Sequence, residues 1–267
     1  MSALDTLYDW PEIHAAWTTF RARWLDGILA RGVRTLARTG AEIGRDPAWM
    51  SDRIVDQTCG YPYITVHSGW AQLIATPHYD AMGCSGPDYR SWIIVRADCP
   101  ARTLADMRGT RAAYNERRSQ SGYNTFRNAV ARLQSRPGAG FFSSVERSGS
   151  HARSLAWIAE GRVDCAAIDA VCWALTRVHR PRLAGALRAL EPTPPAPGLP
   201  FICSRRYSDR DVGAIREALA EVLADPALDS IRDQLLITGS SILDDDAYEA
   251  CRAMARDAAA RGYPALA

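Results

Sequence analysis

Arg111-Ala112-Ala113-Tyr114-Asn115, followed by Ser119-Gln120-Ser121-Gly122-Tyr123-Asn124 and then by Phe126, Ala129, Val130 and Leu133, is the stretch on which the fold turns. The first five residues read as a strand. The last four recur at i, i+3, i+4 and i+7, the apolar stripe of a core-facing helix over Asn124 to Gln134. A polar turn with two serines and a glycine lies between them, at the helix start. The same order repeats downstream: strand Phe141 to Glu146, turn Ser148-Gly149-Ser150-His151, and helix Ala152 to Glu160 with Leu155, Ile158 and Ala159 on one face and Gly161 past its end. Strand Val163 to Ile168, helix Ala170 to Val178 and strand Ala186 to Leu190 continue the series. Such alternation implies parallel strands joined by crossover helices, hence an α/β class.

Toward the N-terminus, Asp9 and Glu12 read as a capping box with Pro11 in the first turn, and Ile13, Ala16, Trp17, Phe20, Trp24 and Ile28 as one face of an amphipathic helix. A strand is expected around Arg53 to Gln57, then a turn through Cys59-Gly60-Tyr61-Pro62, a short helix, and a strand around Ala71 to Thr76 ended by Pro77. Ile93-Ile94-Val95 is a β-branched run, and Thr103 to Met107 a short helix stopped by Gly109. Pro192-Thr193-Pro194-Pro195-Ala196-Pro197-Gly198-Leu199-Pro200 is too donor-poor for a core element and reads as a connector. Beyond it the pattern is helical, through Val212, Ile215 and Leu219, then Leu228 to Leu236, then Tyr248, Cys251, Met254 and Ala255. The expected organisation is a discontinuous first lobe, residues 1–95 and 196–267, with an inserted second lobe, 96–195, and connectors near 92–97 and 191–201.

Both polar turns would present hydroxyls and backbone N–H groups at the positive end of a helix dipole, an arrangement that holds an oxyanion without a metal. Ser119 and Ser121 are also natural N-caps, and two serines around one glycine exceed what capping needs. His151 projects from the first turn of its helix, beside Ser150, and reads either as a structural histidine or as a residue facing the same kind of guest. Were it cationic there, affinity should fall as pH rises above about 6.5; a flat profile would give it a neutral hydrogen-bonding role.

Composition removes several classes. All 32 residues counted as Lys+Arg are arginine, which excludes lysine Schiff-base chemistry and a P-loop lysine. A formal charge of +2 leaves no field for nucleic acid or an acidic membrane. The 7 cysteines (Cys59, Cys84, Cys99, Cys165, Cys172, Cys203, Cys251) form no C-x-x-C pair, so they read as mostly buried thiols in a reducing compartment, and no metal or cofactor is expected. Met1 to Trp24 carries Asp5, Asp9 and Glu12 and lacks a basic start with an apolar run, so the sequence as it stands reads as cytoplasmic, and as periplasmic if the native start lies upstream.

The chain resembles the type II substrate-binding proteins of ABC importers, specifically the phosphate, phosphite and phosphonate binders. The matching segments are Leu7-Tyr8-Asp9-Trp10-Pro11-Glu12, Asp56-Gln57-Thr58-Cys59-Gly60-Tyr61-Pro62, Gly83-Cys84-Ser85-Gly86 through Tyr89-Arg90-Ser91, and Leu104-Ala105-Asp106-Met107-Arg108-Gly109. They continue with Asn115, Ser119-Gln120-Ser121-Gly122, Gly149-Ser150-His151, Gly161-Arg162-Val163-Asp164 to Ile168-Asp169, and Pro197-Gly198-Leu199-Pro200. The resemblance implies a two-lobe type II periplasmic-binding-protein-like fold, each lobe a mostly parallel sheet flanked by helices, with the ligand in a cleft between lobes. It further implies that Ser119, Ser121 and His151, with Gln120, Gly122 and Ser150, contact the phosphorus oxyanion, and that Tyr61, Tyr89 and Tyr8 cover it. Asp169 aligns with an acidic residue that meets a ligand amino group, or it caps the following helix; the family's second acidic contact is replaced by Pro197-Gly198-Leu199. An ABC permease is the implied partner of a monomeric receptor.

Four or five donors at roughly 1.5–3 kcal/mol each supply on the order of 10 kcal/mol, against an association cost of about 4–15 kcal/mol. The covering tyrosines therefore matter. Other readings are a cytosolic sensor or regulatory protein of the same fold, a hydrolase using Ser121, His151 and Asp169, for which no G-x-S-x-G elbow exists, and a pyrimidine-precursor synthase, for which neither a clustered-cysteine motif nor a lysine exists.

Overall fold

The computed structural model describes residues 8–34, 55–134 and 140–267. Met1 to Leu7, and the Arg53-Ile54 start expected for the first strand, lie outside the described residues. The strands are β1 (Val55–Gln57), β2 (Ala71–Tyr79), β3 (Asp88–Tyr89), β4 (Ser91–Arg96), β5 (Arg111–Tyr114), β6 (Ser144–Arg147), β7 (Cys165–Asp169), β8 (Leu187–Pro192), β9 (Ala196–Pro197), β10 (Phe201–Ser204) and β11 (Ile237–Ser241). The chain divides into two compact units, one of the described residues up to Asp80 with Gly198–Ala247, the other of Ala81–Pro197 with Tyr248–Ala267.

In the first unit the sheet order is β1-β10-β2-β11 and every pair is antiparallel. The helix His14–Ala30 buries Trp17, Phe20, Trp24 and Ile28, the apolar face read from the sequence. Trp24 sits edge-on to Phe201 at 4.9 Å between ring centres, and its indole N–H donates to the Ile215 carbonyl at 3.0 Å. One side chain thus ties two helices and a strand. Close approach of helices His14–Ala30 and Asp209–Ala224 occurs at Gly27, where a Cβ would stand 3.2 Å from the Ala218 methyl. The expected capping box of Asp9 and Glu12 is not formed: the cap position is Trp10, without a side-chain cap bond, and the Asp9 carboxylate instead accepts from the buried Arg21 at 3.0 Å and contacts His14 Nδ1 at 3.0 Å. A buried guanidinium is the stronger claim on a carboxylate. Nor does Pro77 end its strand. It lies within β2 opposite Ser240, beyond Ala75 where pairing with β10 stops, so the missing N–H costs no ladder bond on that side.

The second unit holds a five-stranded sheet in the order β6-β5-β7-β4-β8 and a two-stranded ribbon of β3 with β9. β5 is parallel to β6 and β7, while β4 is antiparallel to β7 and β8. The expectation of a mostly parallel sheet therefore holds in this unit, where β6, β5, β7 and β8 run one way and β4 the other, and not in the first unit, where each neighbouring pair is antiparallel. Helical crossovers still set direction: β7 and β8, β1 and β2, and β10 and β11 are each joined through helices and run the same way, with an antiparallel strand (β4, β10 and β2 respectively) paired between them. The boundary expected at 95/96 also moves to 80/81, because Ile93-Ile94-Val95 is fully buried in the middle of this sheet, where a run of β-branched residues needs a strand on each side. The C-terminal segment from Tyr248, expected in the first lobe, belongs here, and Ala258, Tyr263 and Leu266 join a core with Phe126, Val130, Phe141 and Phe142.

Phe126 is fully buried at the centre of that core. Phe126→Ala is expected to destabilise the protein by about 3–5 kcal/mol, seen as a lower urea midpoint. A loss below about 1 kcal/mol would show that the ring is not a core element.

Candidate functional site

Parallel pairing of β5 with β6 and β7 puts the ends of three strands on one edge of the sheet, so that Asn115, Ser148 and Asp169 begin or precede the neighbouring turns. After β5 the chain enters a wide helical turn, Gln120–Asn124, whose Asn124 N–H reaches back five residues to Ser119 O at 3.0 Å before Thr125–Ala131 continues as α-helix. Such π-type turns displace the backbone locally and concentrate at functional sites. Ser119 is its N-cap and its Oγ accepts from Gly122 N–H at 3.0 Å. After β6, Gly149 takes a left-handed conformation at φ +91°, its N–H donates to Asn115 O at 3.0 Å, and Ser150 caps the helix His151–Ala159 by accepting from Arg153 N–H at 3.1 Å.

These two helix starts meet. Ser121 Oγ lies 2.9 Å from His151 Nε2, and Ser119 Oγ 3.5 Å from Ser121 Oγ. Asn115 Nδ2 approaches the same ring nitrogen at 3.3 Å. Gly122 is required by contact: a Cβ there would stand 2.0 Å from Asn115 Oδ1 and 3.0 Å from His151 Cε1. Ser91, buried at the start of β4, donates its hydroxyl to the Ser121 carbonyl at 2.9 Å and fixes the turn from below. His151 Nδ1 and Asn115 Oδ1 are both enclosed without a hydrogen-bond partner. Desolvation pushes the His151 pKa down to about 4, so the ring is neutral at physiological pH. The cluster consists of hydroxyls, an amide and a neutral imidazole, which can donate to an anion's oxygens without bringing a counter-charge.

Several residues singled out from the sequence do other things. Gln120 is fully buried and turned away: its amide contacts Met254 Sδ at 3.3 Å and accepts from Asn124 Nδ2 at 2.8 Å. Gly122 N–H is taken by Ser119, so it is not the open donor the sequence suggested, while the Ser150 oxygen accepts from the Arg153 amide as a helix cap. Asp169 caps the helix Ala170–His179, accepting from Val171 N–H at 2.8 Å and Cys172 N–H at 3.4 Å, and is 1% exposed. With Asp169 so placed and His151 Nδ1 unpartnered, a Ser121–His151–Asp169 triad is not assembled. Tyr89 is buried in β3 of this unit, whereas Tyr8 and Tyr61 belong to the first unit, Tyr8 stacked edge-to-face on Tyr79 at 5.2 Å. Asn115 and Ser91 stand at the cluster without a site role expected from the sequence. Asn115 carries a weak signal, standing directly after a strand that precedes a serine-glycine turn; Ser91 carries none, because its role arises from the antiparallel placement of β4.

Among the described residues no group of His, Cys, Asp or Glu side chains could hold a metal ion, and no helix is long and apolar enough to cross a membrane. Of the cysteines, Cys165, Cys172, Cys203 and Cys251 are buried thiols and the other three are partly exposed.

No curated protein matches the chain by sequence. Among solved structures, it is similar to a binding protein component of an ABC phosphonate transporter (PA3383) from Pseudomonas aeruginosa, with TM-score 0.76 and 17% identity over 96% of this chain and 85% of that one. XAC2383 from Xanthomonas citri, solved bound to ATP, gives TM-score 0.67 and 18% identity over 90% and 92% of the two chains. PhnD1 from Prochlorococcus marinus, solved with methylphosphonate, gives 0.59 and 14% over 76% and 77%. At these identities the likeness shows a shared two-lobe α/β fold. Residues 57–248, most of the chain and including both serine-glycine turns, match the family described as ABC transporter, phosphonate, periplasmic substrate-binding protein, and the chain belongs to that family.

Proposed function

We propose that Ser119, Ser121 and His151 form the oxyanion-facing part of a solute site, and that this chain captures a small phosphorus oxyanion, a phosphonate, phosphite or phosphate, and delivers it to an ABC permease without turning it over. The observation that carries the reading is the convergence of two helix starts on one hydroxyl–imidazole pair 2.9 Å apart, with a second hydroxyl 3.5 Å away. Both helix dipoles then favour negative charge at the same point. The family's transport description, and the methylphosphonate that PhnD1 holds, support the ligand class. The protein works as a monomer in the periplasm, the compartment in the family's description. Tyr89, of the same unit, supplies aromatic cover when the site fills.

The use of Asp169 Oδ1 as a helix cap supports a role for it in the fold rather than in meeting a ligand ammonium. The favoured ligands are therefore those without a distal amino group. Asp169→Ala is expected to cost about 1–2 kcal/mol of stability through the lost cap, with methylphosphonate affinity unchanged in calorimetry.

Ser121→Ala and His151→Ala are each expected to weaken methylphosphonate or phosphate binding by about 10- to 100-fold with the fold intact by circular dichroism, sulfate serving as control. Wild-type affinity in both variants would reject the site. Because burial holds His151 neutral above about pH 4, the expectation of cation-driven affinity is replaced: binding should stay flat between about pH 5.5 and 8 once the ligand's own titration is subtracted. The same depressed pKa has a sign for stability. Unfolded histidine, with a pKa of 6.5, takes up its proton first, so stability is lost as pH falls from there toward 4, and this loss should shrink in His151→Gln when melting is followed against pH.

A further inference from the structure

His151 Nε2 has two neighbours, Ser121 Oγ at 2.9 Å and Asn115 Nδ2 at 3.3 Å, while His151 Nδ1 and Asn115 Oδ1 are enclosed and have none. The ring nitrogen carries one proton or one lone pair, so the pattern poses a proton-placement problem. If the amide nitrogen and the serine hydroxyl both donate to Nε2, the ring proton sits on Nδ1 as a buried N–H with no acceptor. Orphaned N–H groups are rarer and costlier than orphaned acceptors. In that arrangement the Ser121 proton is also spent on the ring and its oxygen offers lone pairs to the guest, which suits no oxyanion.

Turning the Asn115 amide by half a revolution resolves both faults at the ring, the two orientations occupying the same volume, and places the NH2 where Oδ1 had no partner, so that the NH2 is satisfied only when an acceptor enters the site. Oδ1 then faces Nε2, the ring carries its proton there, and Nδ1 keeps only a lone pair. With Nε2–H donating to Ser121 Oγ and Asn115 Oδ1, the Ser121 hydroxyl proton is released toward the guest. The amide NH2 takes the place beside Gly122, the backbone that lacks a Cβ there. The Asn115 carbonyl, accepting from Gly149 N–H at 3.0 Å, holds the residue between the two turns whichever way its amide points.

Resting on the oxyanion reading above, we propose that Asn115 is a further binding and positioning residue: in the loaded site its Oδ1 fixes His151 in the Nε2–H form, its NH2 donates to the oxyanion, and Ser121 is thereby made a donor. This adds an amide to the donor set and makes the site selective for fully accepting oxygens.

The test combines nitrogen NMR of 15N-histidine-labelled protein, saturated with methylphosphonate or with inorganic phosphate, and calorimetry of two variants. In the wild type His151 should show a protonated Nε2 and a bare Nδ1. Asn115→Asp keeps the shape and the acceptor, so the Nε2–H signature should persist while affinity falls by at least about 100-fold, a carboxylate oxygen having replaced the NH2. Asn115→Ala should lose the Nε2–H preference and about 10-fold in affinity. A protonated Nδ1 in the loaded wild type, or Asp and Ala variants that lose equal affinity with the ring signature unchanged, overturns the proposal and leaves the oxyanion site standing. Wild-type protein that binds neither probe overturns the oxyanion reading and this proposal with it.

Discussion

The hydrogen bond between Ser121 Oγ and His151 Nε2 closes a gap of 30 residues in sequence with 2.9 Å in space, and the rest of the site is arranged to permit it. Parallel pairing of β5 with β6 aligns the two strand ends. Gly149, in a conformation most side chains avoid, turns the chain after β6 so that Ser150 caps and His151 faces inward. Gly122 lets Asn115 and the imidazole approach the backbone of the first turn. Ser91 anchors the carbonyl of Ser121 from a strand that runs the other way. Removing any one of these moves a helix start, and with it the point on which two dipoles converge.

Behind the turn lies a polar seam that makes the geometry rigid. Asn124 donates to Cys251 O at 2.8 Å and Asn128 to Met254 O at 3.1 Å and Asp257 Oδ2 at 2.9 Å, and Arg127 reaches Pro264 O at 2.6 Å. Asn124, Asn128 and Gln120 are fully buried. Buried polar networks of this kind specify one arrangement because every alternative leaves a donor without a partner. The seam explains why Gln120, flanked by the two serines, points into the protein: its amide meets Met254 and Asn124 there, and the side facing the last helix needs an amide.

The site relies on neutral groups. With no lysine in the chain and a partly buried His151 whose pKa desolvation lowers, the proposed attraction for an anion rests on oriented N–H and O–H dipoles and on two helix ends. Such donors are pre-aligned, so little reorganisation accompanies binding, and they leave the net charge of the occupied site to the guest. The commitment of Asp169 to its helix cap follows the same economy, since an unpaired carboxylate at that depth would repel what the serines attract.

The sequence by itself determined the element types, the apolar faces of the helices and the two serine-glycine turns, because periodicity and cap chemistry are local properties, while the joint role of Ser119, Ser121 and His151 came from the family resemblance. The tertiary structure alone decided which antiparallel strands are paired between the helix-linked ones, the placement of β4 and of the segment from Tyr248 in the second unit, and the partners of Asp9, Gln120 and Asp169. It also decided that His151 is neutral and that Asn115 and Ser91 stand at the site. Each of these depends on which distant group arrives within hydrogen-bond reach and on how much water is excluded when it does, and neither quantity is written in the order of neighbouring residues.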